Sequence, residues 1–96
     1  MTEWPAGYAI MQDGDALVIA TPGKQSVRID DAAGSIALTD RHGNRIELGP
    51  EGIVIQSAGN LTLSAAGTLT ATAKASGKIV CDGPLQVSGA TVALNP

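Results

Sequence analysis

Seven pairs of apolar residues, each spaced i, i+2, run along the C-terminal two-thirds of the chain: Ile36/Leu38, Ile46/Leu48, Ile53/Ile55, Leu61/Leu63, Ile79/Cys81, Leu85/Val87 and Val92/Leu94. Leu69 with Ala71 makes a weaker further member. Glycine-bearing turns separate the pairs, and over residues 52–75 the spacing settles near eight, as in GNLTLSAA (59–66) followed by GTLTATAK (67–74). A unit with two inward positions cannot cover its own apolar face. The repeat therefore needs either a stack of its own coils or other copies of the chain.

The phase of the pairs is informative. Apolar positions are odd-numbered from 53 through 87, so the connecting segments return each strand to the same side of a sheet. The pairs at 36/38, 46/48 and 92/94 are even, which places one-residue shifts near Gly49–Gly52 and Ser88–Thr91. Frequent Gly, β-branched residues and the period of two disfavour helix throughout. Ala65–Ala75 is the one stretch that invites a helix, and Thr68, Thr70 and Thr72 alternating with Leu69, Ala71 and Ala73 oppose it.

Residues 1–30 read differently. Tyr8–Gln12, Asp15–Ala20 and Gln25–Asp30 are β-prone runs, with Val27 and Ile29 on one face of the third. Asp13-Gly14 is a hairpin signal, and Thr21-Pro22-Gly23-Lys24 marks a second turn in which Pro presets φ and Gly accepts φ > 0. The expectation is a small meander or attachment segment over 1–30, followed by the repeat over 31–96.

With 96 residues, no Phe, one Tyr and one Trp, a monomeric core would be thin. A hydrophobic fraction of 44% nonetheless argues against disorder. A single-chain β-solenoid would need coils of about 18–22 residues, and the repeat would supply about three of them. In a trimeric β-prism each chain gives one short strand per face, and a period near eight follows naturally. The expected class is all-β: an intertwined homotrimeric triangular β-helix preceded by the meander. Its axis-facing residues would be Ile36, Leu38, Ile46, Leu48, Ile53, Ile55, Leu61, Leu63, Leu69, Ala71, Ile79, Cys81, Leu85, Val87, Val92 and Leu94.

Several functions are disfavoured. The net charge is −3 and the six basic residues are scattered, which opposes nucleic-acid binding. One cysteine excludes an intrachain disulfide, and Cys81 reads as a small inward hydrophobe. His42 reads as a solvated turn residue, Asp40 and Asn44 as Asx-turn formers, and Asp30-Asp31 as a solvated corner rather than a calcium site. Thr62, Ser64, Thr68, Thr70 and Thr72 suit an outer, wet face. No nucleophile elbow, paired-carboxylate site or metal-ligand spacing occurs, so neither catalysis nor a cofactor is expected. No run approaches the roughly 20 apolar residues of a membrane span, and the first residues lack a signal-peptide pattern, which predicts synthesis in the cytoplasm.

The order IALTDRHGNRIEL (36–48), GIVIQSAG (52–59), GNLTLSAAG and GTLTATAKA resembles the triangular β-helix of central spikes in contractile injection systems. That family includes phage baseplate spikes and the type VI secretion spikes called valine-glycine repeat proteins, and the likeness covers roughly residues 28–95. It implies a parallel homotrimeric needle, assembled into a virion or secretion-apparatus baseplate, that sheath contraction drives through a target cell envelope. It further implies a separate hub protein at the N-terminal end, because thirty residues cannot supply the family's hub and barrel. Some spikes end in an iron-binding His-x-His. Val92-Ala93-Leu94-Asn95-Pro96 has no histidine, so these residues are expected instead to receive a conical tip protein of the PAAR type. The rival readings are an adhesion or scaffold module on a trimeric or single-chain β-solenoid, and a small hydrolase.

Overall fold

The computed structural model describes residues 5–94. The chain divides into two compact units, Met1–Leu63 and Ser64–Pro96. The first unit is an antiparallel sheet of six strands in sequence order: β1 (Ala9–Asp13), β2 (Ala16–Ala20), β3 (Ser26–Asp30), β4 (Ser35–Thr39), β5 (Arg45–Gly49) and β6 (Gly52–Gln56). Each strand is five residues long and pairs with the next.

Loop length explains this topology. Loops of two, five, four, five and two residues join successive strands. Connections that short return the chain antiparallel to its neighbour, since a parallel return needs a dozen residues or more. The meander expected over 1–30 therefore continues to Gln56, and the expected boundary at residue 30 falls inside it, at the β3–β4 connection. Residues 36–56, whose sequence resembles the opening of a triangular β-helix, are antiparallel hairpins within one chain.

The turns are chemically specified. At Asp13-Gly14-Asp15-Ala16, Gly14 takes φ 59° and Asp15 stays negative, the sign pattern of a II′ hairpin turn. Thr21–Gln25 closes with Lys24 N–H donating to the Thr21 carbonyl at 3.1 Å. Here the expectation of a left-handed glycine is corrected: Lys24 adopts the left-handed conformation, at φ 65°, and Gly23 does not. Gly23 instead leaves room for Arg41, whose Nη1 would lie 2.8 Å from an added Cβ.

Beyond Gln56 no strand forms within the chain among the described residues. In the second unit Leu69, Ile79, Leu85 and Val87 are more than half exposed. Their alternation lacks an intrachain partner strand to pair with. Among the described residues no helix forms, and none is long and apolar enough to cross a membrane.

Candidate functional site

Cross-strand register sorts the first unit into two unlike faces. One row of paired residues runs Ile10–Ile19–Val27–Leu38–Ile46–Ile55 across all six strands. The adjacent row on the same face runs Gln12–Leu17–Ile29–Ile36–Leu48–Ile53. Eleven of these twelve side chains are aliphatic. The opposite face carries Arg28, Asp30, Ser35, Arg45, Glu47 and Gln56 together with Met11, Val18, Val54 and small residues.

The polar face is held together locally. Arg28 bridges Asp13 at 3.0 Å and Asp30 at 3.6 Å, the two cross-strand partners of Ala16, which among the described residues is the one buried apolar side chain, at 2% exposure. The hydrogen bond that Arg28 donates to Asp13, helped by the charges of Asp13 and Asp30 and a hydrogen bond to Asp30, outweighs desolvation and raises the Arg28 pKa. Arg45 pairs with Glu47 at 3.4 Å, and the Ser26 and Thr39 hydroxyls share a hydrogen bond of 2.8 Å.

The apolar face has no such cover. Leu38 is 43% exposed, Ile46 40%, Leu48 39% and Ile53 68%. Part of it forms an open groove of about 550 Å³. Ile19, Val27, Leu38, Ile46, Ile55 and Leu61 floor the groove, with Thr21, Gln25, Asp40, Asn44, Ser57 and Asn60 around it. Leu61 joins the row because a turn redirects the chain after β6. The Ser57 hydroxyl donates to the Asn60 carbonyl at 2.7 Å and accepts from Gly59 N–H at 3.2 Å.

That turn is tied to the β4–β5 loop. Asp40 Oδ1 accepts from His42 N–H at 2.8 Å and Asn44 N–H at 3.0 Å, and Oδ2 accepts from Asn44 Nδ2 at 2.7 Å. This is the Asx-type turn that the sequence predicts. The Asn44 side-chain hydrogen bond is the largest influence on the Asp40 carboxyl. With the backbone N–H groups of Asn44 and His42 and the charge of His42, it outweighs desolvation and lowers the pKa.

Of the sixteen residues expected to face an axis, Ile36, Leu38, Ile46, Leu48, Ile53 and Ile55 share this one face. Sequence reasoning missed Ile10, Leu17, Ile19, Val27 and Ile29, which lie on it as well. The signal was present: ALVIA and SVRID alternate with the same period. Leu63, Leu69, Ala71, Ile79, Cys81, Leu85, Val87, Val92 and Leu94 are exposed in the single chain. Val92, Ala93 and Leu94 of the expected tip surface are exposed too, whereas Asn95 and Pro96 lie outside the described residues. His42 is exposed in its turn, and Asp31 is an exposed corner beside a half-buried Asp30 whose Oδ1 accepts from Ala33 N–H. No cluster of three or more His, Cys, Asp or Glu side chains suited to a metal ion occurs among the described residues.

An amphipathic sheet with one exposed aliphatic face suits a surface for assembly. Residues 16–96 match the family described as the phage baseplate V C-terminal trimerisation domain. The chain belongs to this family. It is a trimerising structural component of a phage baseplate, in keeping with the likeness to baseplate spikes seen in its sequence. The matched span includes β2 to β6, the groove and the whole second unit. A search of curated proteins gave no match.

Proposed function

We propose that three copies of this domain close into an intertwined triangular β-prism and serve as the central spike of a contractile tail, pierced mechanically through a target envelope. One observation carries the reading: eleven aliphatic side chains aligned on a single sheet face and, among the described residues, mostly left exposed. Covering a half-exposed Ile or Leu stabilises by about 1 kcal/mol, so three such faces meeting on an axis supply a core that one chain lacks. Strands of residues 64–94 obtain backbone partners from neighbouring copies, and the closed prism leaves no free sheet edge.

In this reading the domain works without catalysis. A narrow, fully hydrogen-bonded shaft transmits axial force, and no chain can be withdrawn singly from an intertwined trimer. A baseplate hub holds the end that bears the six-stranded sheet. The apolar Val92–Leu94 end receives a PAAR-type tip and makes transient contact with the target membrane. The same device would serve a type VI secretion apparatus.

Two measurements test it. Sedimentation equilibrium should give three times the 9.6 kDa chain mass, and a monomer would sink the prism. Particles whose spike keeps the six-stranded sheet but ends after Leu63 should still contract their sheaths yet leave target cells intact, whereas undiminished killing would remove the piercing role.

A further inference from the structure

The loops of the meander alternate between its two edges, and the edges differ in charge. The β1–β2, β3–β4 and β5–β6 turns lie along one edge and carry Asp15, Asp31 and Glu51. The β2–β3 and β4–β5 turns lie along the other and carry Lys24 and Arg41. Among the described residues the ion pairs are Arg28 with Asp13 and Asp30, and Arg45 with Glu47, and these five loop charges pair with no other described side chain. Asp40 also sits on the basic edge, but both its oxygens are occupied by Asn44 and His42 donors.

We propose that the acidic edge of one copy docks against the basic edge of the next at each corner of the trimer, the β2–β3 loop with Lys24 entering between Asp15 and Asp31 and the β4–β5 loop between Asp31 and Glu51, where Arg41 turns from its place beside Gly23 toward the facing carboxylates. This rests on the reading that three sheets surround one axis. Paired strands lie about 4.8 Å apart, so loops on one edge recur about every 10 Å and loops on the other edge fall halfway between them. Copies held at the same height by a threefold axis therefore present each basic loop to a gap between two acidic ones. The two rows interlock like offset teeth.

The arrangement selects a symmetry. An isologous twofold contact between like edges sets acid against acid, whereas a cyclic, head-to-tail contact sets acid against base at every corner. Exposed pairs contribute little affinity each, but like charges opposed across an interface exclude wrong neighbours and wrong registers.

The test uses the full chain. Lys24→Glu with Arg41→Glu should raise the concentration at which the trimer half-dissociates about tenfold in about 20 mM salt, and the gap should narrow in about 0.5 M salt. Adding Asp15→Lys, Asp31→Lys and Glu51→Lys to that variant should restore assembly. Unchanged assembly of the first variant in low salt, or no rescue by the second, would overturn the proposal. Because reversal at Lys24 also touches a strained turn, cysteine pairs in a Cys81→Ser background give an independent readout. Arg41→Cys with Glu51→Cys should oxidise to covalently linked chains, and Arg41→Cys with Asp15→Cys should not. Equal linking of both pairs, or of neither, counts against the interlock. A parent chain that sediments as a monomer would instead remove the spike reading itself.

Discussion

The side-chain carbonyl of Asn44 accepts a hydrogen bond of 2.7 Å from the backbone N–H of Ala58, fourteen residues further along the chain. Its amide nitrogen donates at 2.7 Å to Asp40 in the same loop. One side chain thus fixes the β4–β5 loop and the point at which the chain leaves the sheet. Asn44→Ala should destabilise the first unit by about 1–2 kcal/mol, since it removes both bonds. Urea unfolding gives the magnitude. Hydrogen exchange should show the largest acceleration at Ala58, with the amides of β2 and β3 quickened by no more than the loss of overall stability.

The Asp40 carboxyl is held below its ordinary pKa, chiefly by Asn44. A depressed native pKa gives stability that is complete above the unfolded value, about 3.9, and lost as pH falls through the native value. Parent protein should therefore lose more stability than Asp40→Asn below about pH 4, with a constant difference between them at higher pH. Thermal melts across acid pH measure this. Parallel curves for the two proteins would show that the carboxylate is not responsible.

Leu38 lies near the middle of the apolar row and Ala37 beside it faces the other way. Leu38→Asp would bury three carboxylates in the trimer interface, at a cost of several kcal/mol per ion. It should abolish assembly in sedimentation equilibrium, while Ala37→Ser leaves the trimer intact. Equal effects at the two positions would mean that the apolar face is not the interface.

Glycines at positive φ differ in what surrounds them. At Gly14, φ 59°, an added Cβ meets nothing within 4 Å, so Gly14→Ala should cost about 1 kcal/mol of backbone strain alone. At Gly7, φ 87°, the Cβ would fall 2.6 Å from Pro22 Cβ, so Gly7→Ala adds a steric clash and should cost more. Denaturant midpoints of the two variants, compared side by side, decide the order.

Strand positions were legible because alternation is a local property. The runs expected at Tyr8–Gln12, Asp15–Ala20 and Gln25–Asp30 match β1 to β3 to within a residue. The extent of the face was not, because parity depends on loop length. A loop of two or four residues reverses odd and even between facing positions, whereas a loop of five keeps them. Ile29 and Ile36 therefore share a face across the four-residue β3–β4 loop despite opposite parity. The shift expected near Gly49–Gly52 is the two-residue β5–β6 hairpin. In the proposed prism, what surrounds Leu61 to Leu94 comes from other copies of the chain, and no single-chain pattern of residues fixes which neighbour supplies it.

The ladder that stops at Gln56 gives the chain two kinds of time dependence. Residues 9–56 close their hydrogen bonds within one molecule, at a rate independent of concentration. If the residues beyond them pair between copies as proposed, they have to wait for encounters with other molecules. During synthesis the sheet can be complete on each copy while the following segment is still emerging, so three finished sheets can meet before three unfinished tails do. Dilution should then slow the acquisition of protected amides after Leu63 and leave those before Gln56 unchanged.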